Sequence, residues 1–200
     1  MVSHLRPALV LLLGFSLLTG IAYPYLITGI AQVVFPHQAN GSLVERDGKV
    51  IGSLLIGQNF ASEKYFHPRP SATTDTDPND ATKTIAAPYN ANNSSGSNLA
   101  PTAKALVDRV KDDAAKLQKE NPGVPVPGDL VTTSASGLDP DISPAGADFQ
   151  VPRVAKARNM TPDAVRALVA ANTTPRFLGV FGEPRVNVLA LNLALDAAGK

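Results

Sequence analysis

From Pro7 to Phe35 the chain runs 29 residues without a charged side chain, and Leu9 to Leu13 with Phe15, Leu17, Leu18 and Ile21 is apolar on every face of a helix. A soluble amphipathic helix confines such residues to one stripe. A bilayer core takes about 20 apolar residues at ~1.5 Å each, so the run predicts one crossing and is too short for two. Pro24 removes a backbone donor within it and should kink the helix or mark where it leaves the bilayer core. Tyr23, Tyr25 and Phe35 lie on that exit side, where aromatic rings favour the interface. A cleaved secretory signal is the competing reading, because Arg6 supplies a short basic start and Gly20-Ile21-Ala22 offers small residues at a cleavage position. The apolar run continues through Leu26, Ile27, Ile30 and Val33-Val34, which suits an uncleaved anchor better. Both readings export the remainder. So short a head is most easily left inside, so the expected organisation is a cytoplasmic head at 1–6, a transmembrane helix at 7–35 and an extracytoplasmic domain at 36–200.

Beyond the helix the pattern changes to short elements. Leu43-Val44, the turn Glu45-Arg46-Asp47-Gly48 and the run from Lys49 to Ile56 predict a hairpin, with Asp-Gly supplying the left-handed turn. The stretch 68–98 is mostly Pro, Thr, Asp, Asn, Ser and Gly and predicts a flexible polar loop. Asn98 then reads as the N-cap of an amphipathic helix carrying Leu99, Ala103, Leu106, Val107, Val110, Ala114 and Leu117, ending near Asn121-Pro122. Its charges read as a solvated face. Val124-Pro125-Val126-Pro127 is an extended connector. Ser143-Pro144 and Thr161-Pro162-Asp163 are cap-plus-proline starts of two more helices, the second running to about Ala171. Arg185 to Leu195 predicts a buried strand leading into a terminal turn or helix. The fold class expected is α+β or α/β: a single N-terminal transmembrane helix followed by one small mixed domain, without internal repeats.

Charge narrows the function. The 200 residues carry 18 Lys+Arg and 17 Asp+Glu, with no long basic run, so the electrostatic footprint of a nucleic-acid binder is missing. Having no cysteine, the chain is neither a disulfide scaffold, a thiol enzyme nor a Cys-ligated zinc protein. The phosphate-cradling G-x-x-x-x-G-K-[ST] loop is absent, as are an Asp-Lys-Thr-Gly phosphorylation site and the G-x-S-x-G and S-x-x-K serine patterns. His37 and His67 are the only histidines beyond the helix and read as structural or loop residues, too few and too separate for zinc. Asp75-x-Asp77-x-Asn79 opens like a calcium loop, yet Asp80 stands where the turn glycine belongs and Ala86 where a bidentate Glu belongs. No catalytic residue and no metal site is therefore expected.

A set of segments without catalytic grammar remains. In order they are Leu5-Arg6-Pro7-Ala8, Phe35-Pro36, Gln38-Ala39-Asn40-Gly41-Ser42-Leu43, Gly57-Gln58-Asn59-Phe60, Arg69-Pro70-Ser71-Ala72, Ser95-Gly96-Ser97-Asn98-Leu99, Ser134-Ala135-Ser136-Gly137-Leu138-Asp139, Gln150 to Arg158, Val186-Asn187-Val188 and Leu191 to Asp196. Together they resemble the C subunit of Kdp-type potassium-transporting ATPases, the KdpC family, over essentially the whole chain. Thr73 to Asn92 is longer than that family usually has, and Ser94-Ser95-Gly96-Ser97-Asn98 replaces its usual Ser-Gly-Gly-Ser-Asn run. The resemblance implies a non-catalytic subunit of a bacterial or archaeal inner-membrane complex that imports potassium at the expense of ATP. Its partners would be a channel-like A subunit that carries the ion, a P-type B subunit that hydrolyses ATP and a small F subunit. It implies no intrinsic cofactor. The family's C subunit is described both as an assembly factor and as a catalytic chaperone raising ATP affinity. For nucleotide contact the polar candidates are Ser134, Ser136, Gly137 and Gln150. An outward domain sits across about 30 Å of hydrocarbon from ATP, which favours assembly and an outer cap near the ion entrance. A membrane-anchored binding module or sensor is the alternative, and an anchored hydrolase using His37 or His67 is a third.

Overall fold

The computed structural model describes residues 2–199. Helix α1 (Leu5–Val34) is long and apolar enough to cross a membrane. Its large apolar side chains are 46–83% exposed. It does not break at Pro24. The five residues Leu18–Ala22 widen into a π-helical turn just ahead of the proline. A proline ring collides with the carbonyl four residues back and cannot donate to it, and the wider turn relieves both demands. A one-turn helix α2 (Pro36–Ala39) follows, then the predicted hairpin of β1 (Leu43–Arg46) and β2 (Lys49–Ser53). Asp47 and Gly48 between them take φ 52° and 73°, as a two-residue turn with the native strand twist requires. The chain divides into two compact units, one ending at Ile51 and one beginning at Gly52.

The second unit departs from expectation at three places. Within the supposed loop at 68–98 lies an antiparallel hairpin of β3 (Thr74–Asp77) and β4 (Asp80–Ala86), its register shifting at the turn. Its strands are polar on both faces, so no apolar alternation announced them. Asp75 and Asp77 spend a carboxylate oxygen each on the backbone N–H groups of Thr76 and Asn79, and among the described residues no cluster suited to a metal ion occurs. Helix α3 (Lys104–Glu120) begins after Ala103, and Asn98 is not its cap but a left-handed residue at φ 51°. Pro101 keeps Ala100 out of helical geometry, so the helix cannot start at Leu99.

Strand β5 (Asp141–Ile142) and helices α4 (Pro144–Arg158) and α5 (Pro162–Ala171) come next, the helices starting where predicted. Ser143 Oγ accepts from Gly146 N at 2.8 Å, Thr161 Oγ1 from Ala164 N at 3.2 Å, and each is followed by proline in the first turn. Strand β6 (Thr173–Thr174) precedes β7 (Arg185–Asn187), and here lies the third departure: the predicted terminal strand is only three residues long. Asn187 Oδ1 accepts from Ala190 N at 3.0 Å and starts helix α6 (Val188–Ala198). β7 is central in the order β5-β7-β6, antiparallel to both neighbours, with Ile142 and Thr173 both opposite Val186. Every pairing of known register is antiparallel, so the domain is α+β. Its core joins Ile142, Ala147, Val151 and Val154 with Val165, Val186, Val188, Leu191 and Leu195, and it also takes in Phe66 from a distant connector.

Candidate functional site

Phe66 is fully buried although it lies in an irregular segment. Burying such a segment requires partners for its peptide groups. Two side-chain amides supply them in tandem. Asn192 of α6 accepts from Phe66 N at 2.8 Å and donates to Phe66 O at 3.0 Å. Gln150 of α4 accepts from His67 N at 2.7 Å and donates to His67 O at 3.0 Å. Arg153 Nη2 donates to the same Gln150 Oε1 at 2.6 Å, while its Nη1 donates to the carbonyls of Glu63 and Tyr65. On the other side, Tyr65 lies beneath Arg158, whose guanidinium carbon is 4.9 Å from the ring centre and whose Nη2 is 2.8 Å from Asp196 Oδ1. The segment Glu63-Lys64-Tyr65-Phe66-His67 is thus fastened to α4 and α6 at every residue.

The serine and glycine runs find each other. Ser94 Oγ donates to Ser136 O at 3.0 Å, and Thr133 Oγ1 to Ser97 Oγ at 3.4 Å. A Cβ on Gly96 would lie 2.8 Å from Ala135 O, and one on Gly137 would lie 2.6 Å from Ser95 O and 2.5 Å from Thr73 Cγ2. Each glycine sits where the other run's backbone passes. Ser134 Oγ accepts from Gly137 N at 2.9 Å and Ser136 Oγ from Leu138 N at 3.1 Å, so both hydroxyls brace their own turn. Gly137 also has φ 68°. Gly137→Ala should therefore destabilise the domain by about 2–4 kcal/mol, combining left-handed strain with overpacking, read as a lowered urea midpoint.

Beside these runs opens a cleft of about 680 Å³ between the connector at 59–72, Pro88-Tyr89 and one face of α3. Arg69, Arg109, Lys116 and Arg153 line it with Asp113 and Glu120, while Asp139 and Glu63, outside the lining, pair with Arg69 and Arg153. Phe60, Pro70, Leu99, Leu117 and Leu130 supply apolar wall. Arg69 Nη1 is held by Asp139 Oδ2 at 2.9 Å, and Arg109 Nη1 donates to Val131 O at 3.2 Å. Four guanidinium nitrogens here are buried without a hydrogen-bond acceptor: Arg69 Nε, Arg109 Nε and Nη2, and Arg153 Nε. Arg153 Nε stands 3.5 Å from Glu120 Oε2, an ion pair without a hydrogen bond. Tyr89, at φ 63°, donates from its hydroxyl to Arg69 O at 2.8 Å, and burial followed by the Asp139 charge raises its pKa.

His67 also lines the cleft, its ring nitrogen Nε2 3.1 Å from Ser62 O. Burial first and the Arg153 charge second lower its pKa below the ordinary 6.5. The unfolded chain therefore takes up this proton more readily than the folded one, and His67 makes the domain lose stability as pH falls through about 6.5 toward the lower folded value. Urea midpoints measured from about pH 7.5 to about pH 5.5 should decline, with a smaller decline in His67→Gln.

Of the residues expected at a nucleotide contact, Gln150 lines this cleft, whereas Ser134, Ser136 and Gly137 lie in the neighbouring turn and are not among its lining groups. The arginines on α3 and α4 escaped sequence reading because charged residues on an amphipathic helix look solvated. One signal was present: Arg109, Asp113, Lys116, Leu117 and Glu120 recur at helical spacing on one face. Asn192, alone in an apolar run, was the other.

Comparison with known proteins agrees over the whole chain. Residues 5–197 match the family model described as KdpC, K+-transporting ATPase, c chain. The chain is similar to the potassium-transporting ATPase KdpC subunit of Bradyrhizobium diazoefficiens, 68% identical over 99% of this chain and 98% of that one. It is 66% identical to the KdpC subunit of Rhodopseudomonas palustris strain BisB18, over 99% of this chain and 100% of the other. With that of Methylobacterium nodulans it shares 65% identity over the full length of both.

Proposed function

The chain belongs to the KdpC family, the c chain of K+-transporting ATPases, and from that premise we propose that it is a non-catalytic accessory subunit, anchored by α1, that assembles and stabilises the potassium-importing complex. The match of residues 5–197 to the family carries this reading. The partners are the channel-like A subunit, the ATP-hydrolysing B subunit and the small F subunit, and potassium is the substrate of the complex. The segment ahead of α1 lies in the cytoplasm and the domain outside the cell membrane, capping the complex near its ion entrance. The unbroken apolar character of α1 supports the anchor. Because the sequence has no cysteine, one introduced at exposed Lys83 would be the chain's single thiol. A membrane-impermeant maleimide should label Lys83→Cys in intact spheroplasts. Labelling only after lysis would put the domain inside and overturn the outward placement.

The cleft favours a second reading, contact with ATP as a catalytic chaperone that raises the nucleotide affinity of the hydrolysing subunit; it requires the domain on the cytoplasmic side, where ATP is, and so is the alternative to the outward placement. Guanidinium groups are the side chains best matched to phosphate oxygens. Arg69, Arg109 and Arg153, with Gln150 beside them, would hold the phosphates, and the apolar wall would receive a base. The hydroxyls of Ser134 and Ser136 and the backbone at Gly137 would act from the adjoining turn. In the purified complex, Arg109→Gln should raise KM for ATP while leaving kcat. An unchanged KM would remove this reading and leave the assembly role intact.

A further inference from the structure

Between β6 and β7 the chain throws out Phe177-Leu178-Gly179-Val180-Phe181, with its four large apolar side chains 71%, 75%, 71% and 63% exposed in sequence order. Apolar side chains concentrated like this on a soluble surface mark contact sites. The turn is also built rather than loose. Phe177 and Phe181 exchange both backbone hydrogen bonds at 2.9 Å, Val180 N donates to Phe177 O at 3.2 Å, and Gly179 N to Arg176 O at 3.1 Å. Leu178 stands at the tip with φ 52°, a left-handed conformation that is costly for a branched side chain and brings it no burial. None of this serves the core.

Shape and charge indicate what covers it. The charges at its base are matched internally, Arg176 with Glu183 and Arg185 with Asp141 at 3.0 Å, so no surplus cation is offered to anionic lipid. Lipid would favour the turn's paired backbone but gains nothing from a strained left-handed tip that fixes the direction of one side chain, whereas a shaped recess is served by both. The four side chains expose roughly 500 Å², below the ~800 Å² per partner of a stable two-chain interface, so the turn fits as one anchor within a larger contact rather than as the whole of a dimer. We propose that the Phe177–Phe181 turn is a docking prong that seats in an apolar recess of another subunit of the same ATPase complex. This rests on the reading of the chain as an assembled subunit.

The test uses the intact complex in mild detergent, with a photoreactive phenylalanine analogue at position 181 and mass spectrometry of the adducts. An adduct with a different subunit is expected. The double substitution Phe177→Ser with Phe181→Ser should cut co-purifying ATPase activity about tenfold. It should leave the unfolding midpoint of the tagged chain unchanged, because the side chains are exposed. Adducts only with lipid, adducts only with a second copy of this chain, no adduct, or undiminished co-purification of the serine variant would each overturn the prong. If the unsubstituted chain fails to co-purify with any ATPase, the complex reading itself falls, and this inference with it.

Discussion

Phe66→Ala should cost the domain about 3–5 kcal/mol, the range for truncating a fully buried aromatic ring. Phe66 reaches the core from a connector with no regular structure and belongs to the same cluster as Ile142, Val151, Leu191 and Leu195. Its loss leaves a cavity that the rigid elements around it cannot close. The effect should spread beyond the core. The same residue fixes the peptide that begins the wall of the cleft, since His67 follows it and is clamped by Gln150. Chemical denaturation of the full chain in detergent checks the magnitude. Hydrogen exchange should show residues 59–72 losing protection.

The second large effect is expected at Asn192. Replacing it with leucine keeps the volume but strips both partners from the peptide groups of Phe66. A buried donor and a buried acceptor left without partners cost about 1–3 kcal/mol each, so Asn192→Leu should destabilise by about 2–6 kcal/mol. Asn192→Asp should not rescue it, because a carboxylate accepts from Phe66 N but cannot donate to Phe66 O. Gln150→Leu removes the equivalent clamp from half-buried His67, where water can reach the freed groups, and should cost less. The two clamps grip adjacent peptides, so the double variant should fall short of the sum, which a double-mutant cycle measures.

These two positions show where the sequence was legible. Local chemistry was read correctly: the all-round apolar run became α1, Asp47-Gly48 became the hairpin turn, and Ser143-Pro144 and Thr161-Pro162 became helix starts. In each case the residues within one turn of one another settle the outcome. Misread features depended on partners far along the chain or on a polar pattern. Strands β3 and β4 have no apolar face, so the period of two that reveals a strand was missing. Asn187 stopped the terminal strand by capping α6, within a run whose Val and Leu content suits strand and helix alike. The family was legible because its segments fall in one order across the whole chain.

Site chemistry was less legible. Ser134, Ser136 and Gly137 drew attention as a polar glycine run. The structure shows that run locked against Ser94 to Ser97, a contact between segments about 40 residues apart that no local pattern encodes. The cleft's arginines come from the connector, α3 and α4, and only the folded domain brings them together. Gln150 belongs both to the expected site and to the clamp. Its substitution therefore changes stability and the cleft wall together, and Arg109→Gln is the cleaner probe of the cleft.

As an anchored subunit of a potassium-transporting ATPase, this chain should be recovered from the membrane together with that activity. The most direct test is a mild-detergent pulldown of the tagged chain from its native membrane, with the eluate assayed for potassium-stimulated ATPase activity beside a deletion of residues 7–35. Activity should co-elute with the full chain and be lost with the deletion. A full-length chain that elutes alone, without ATPase activity, would contradict this expectation.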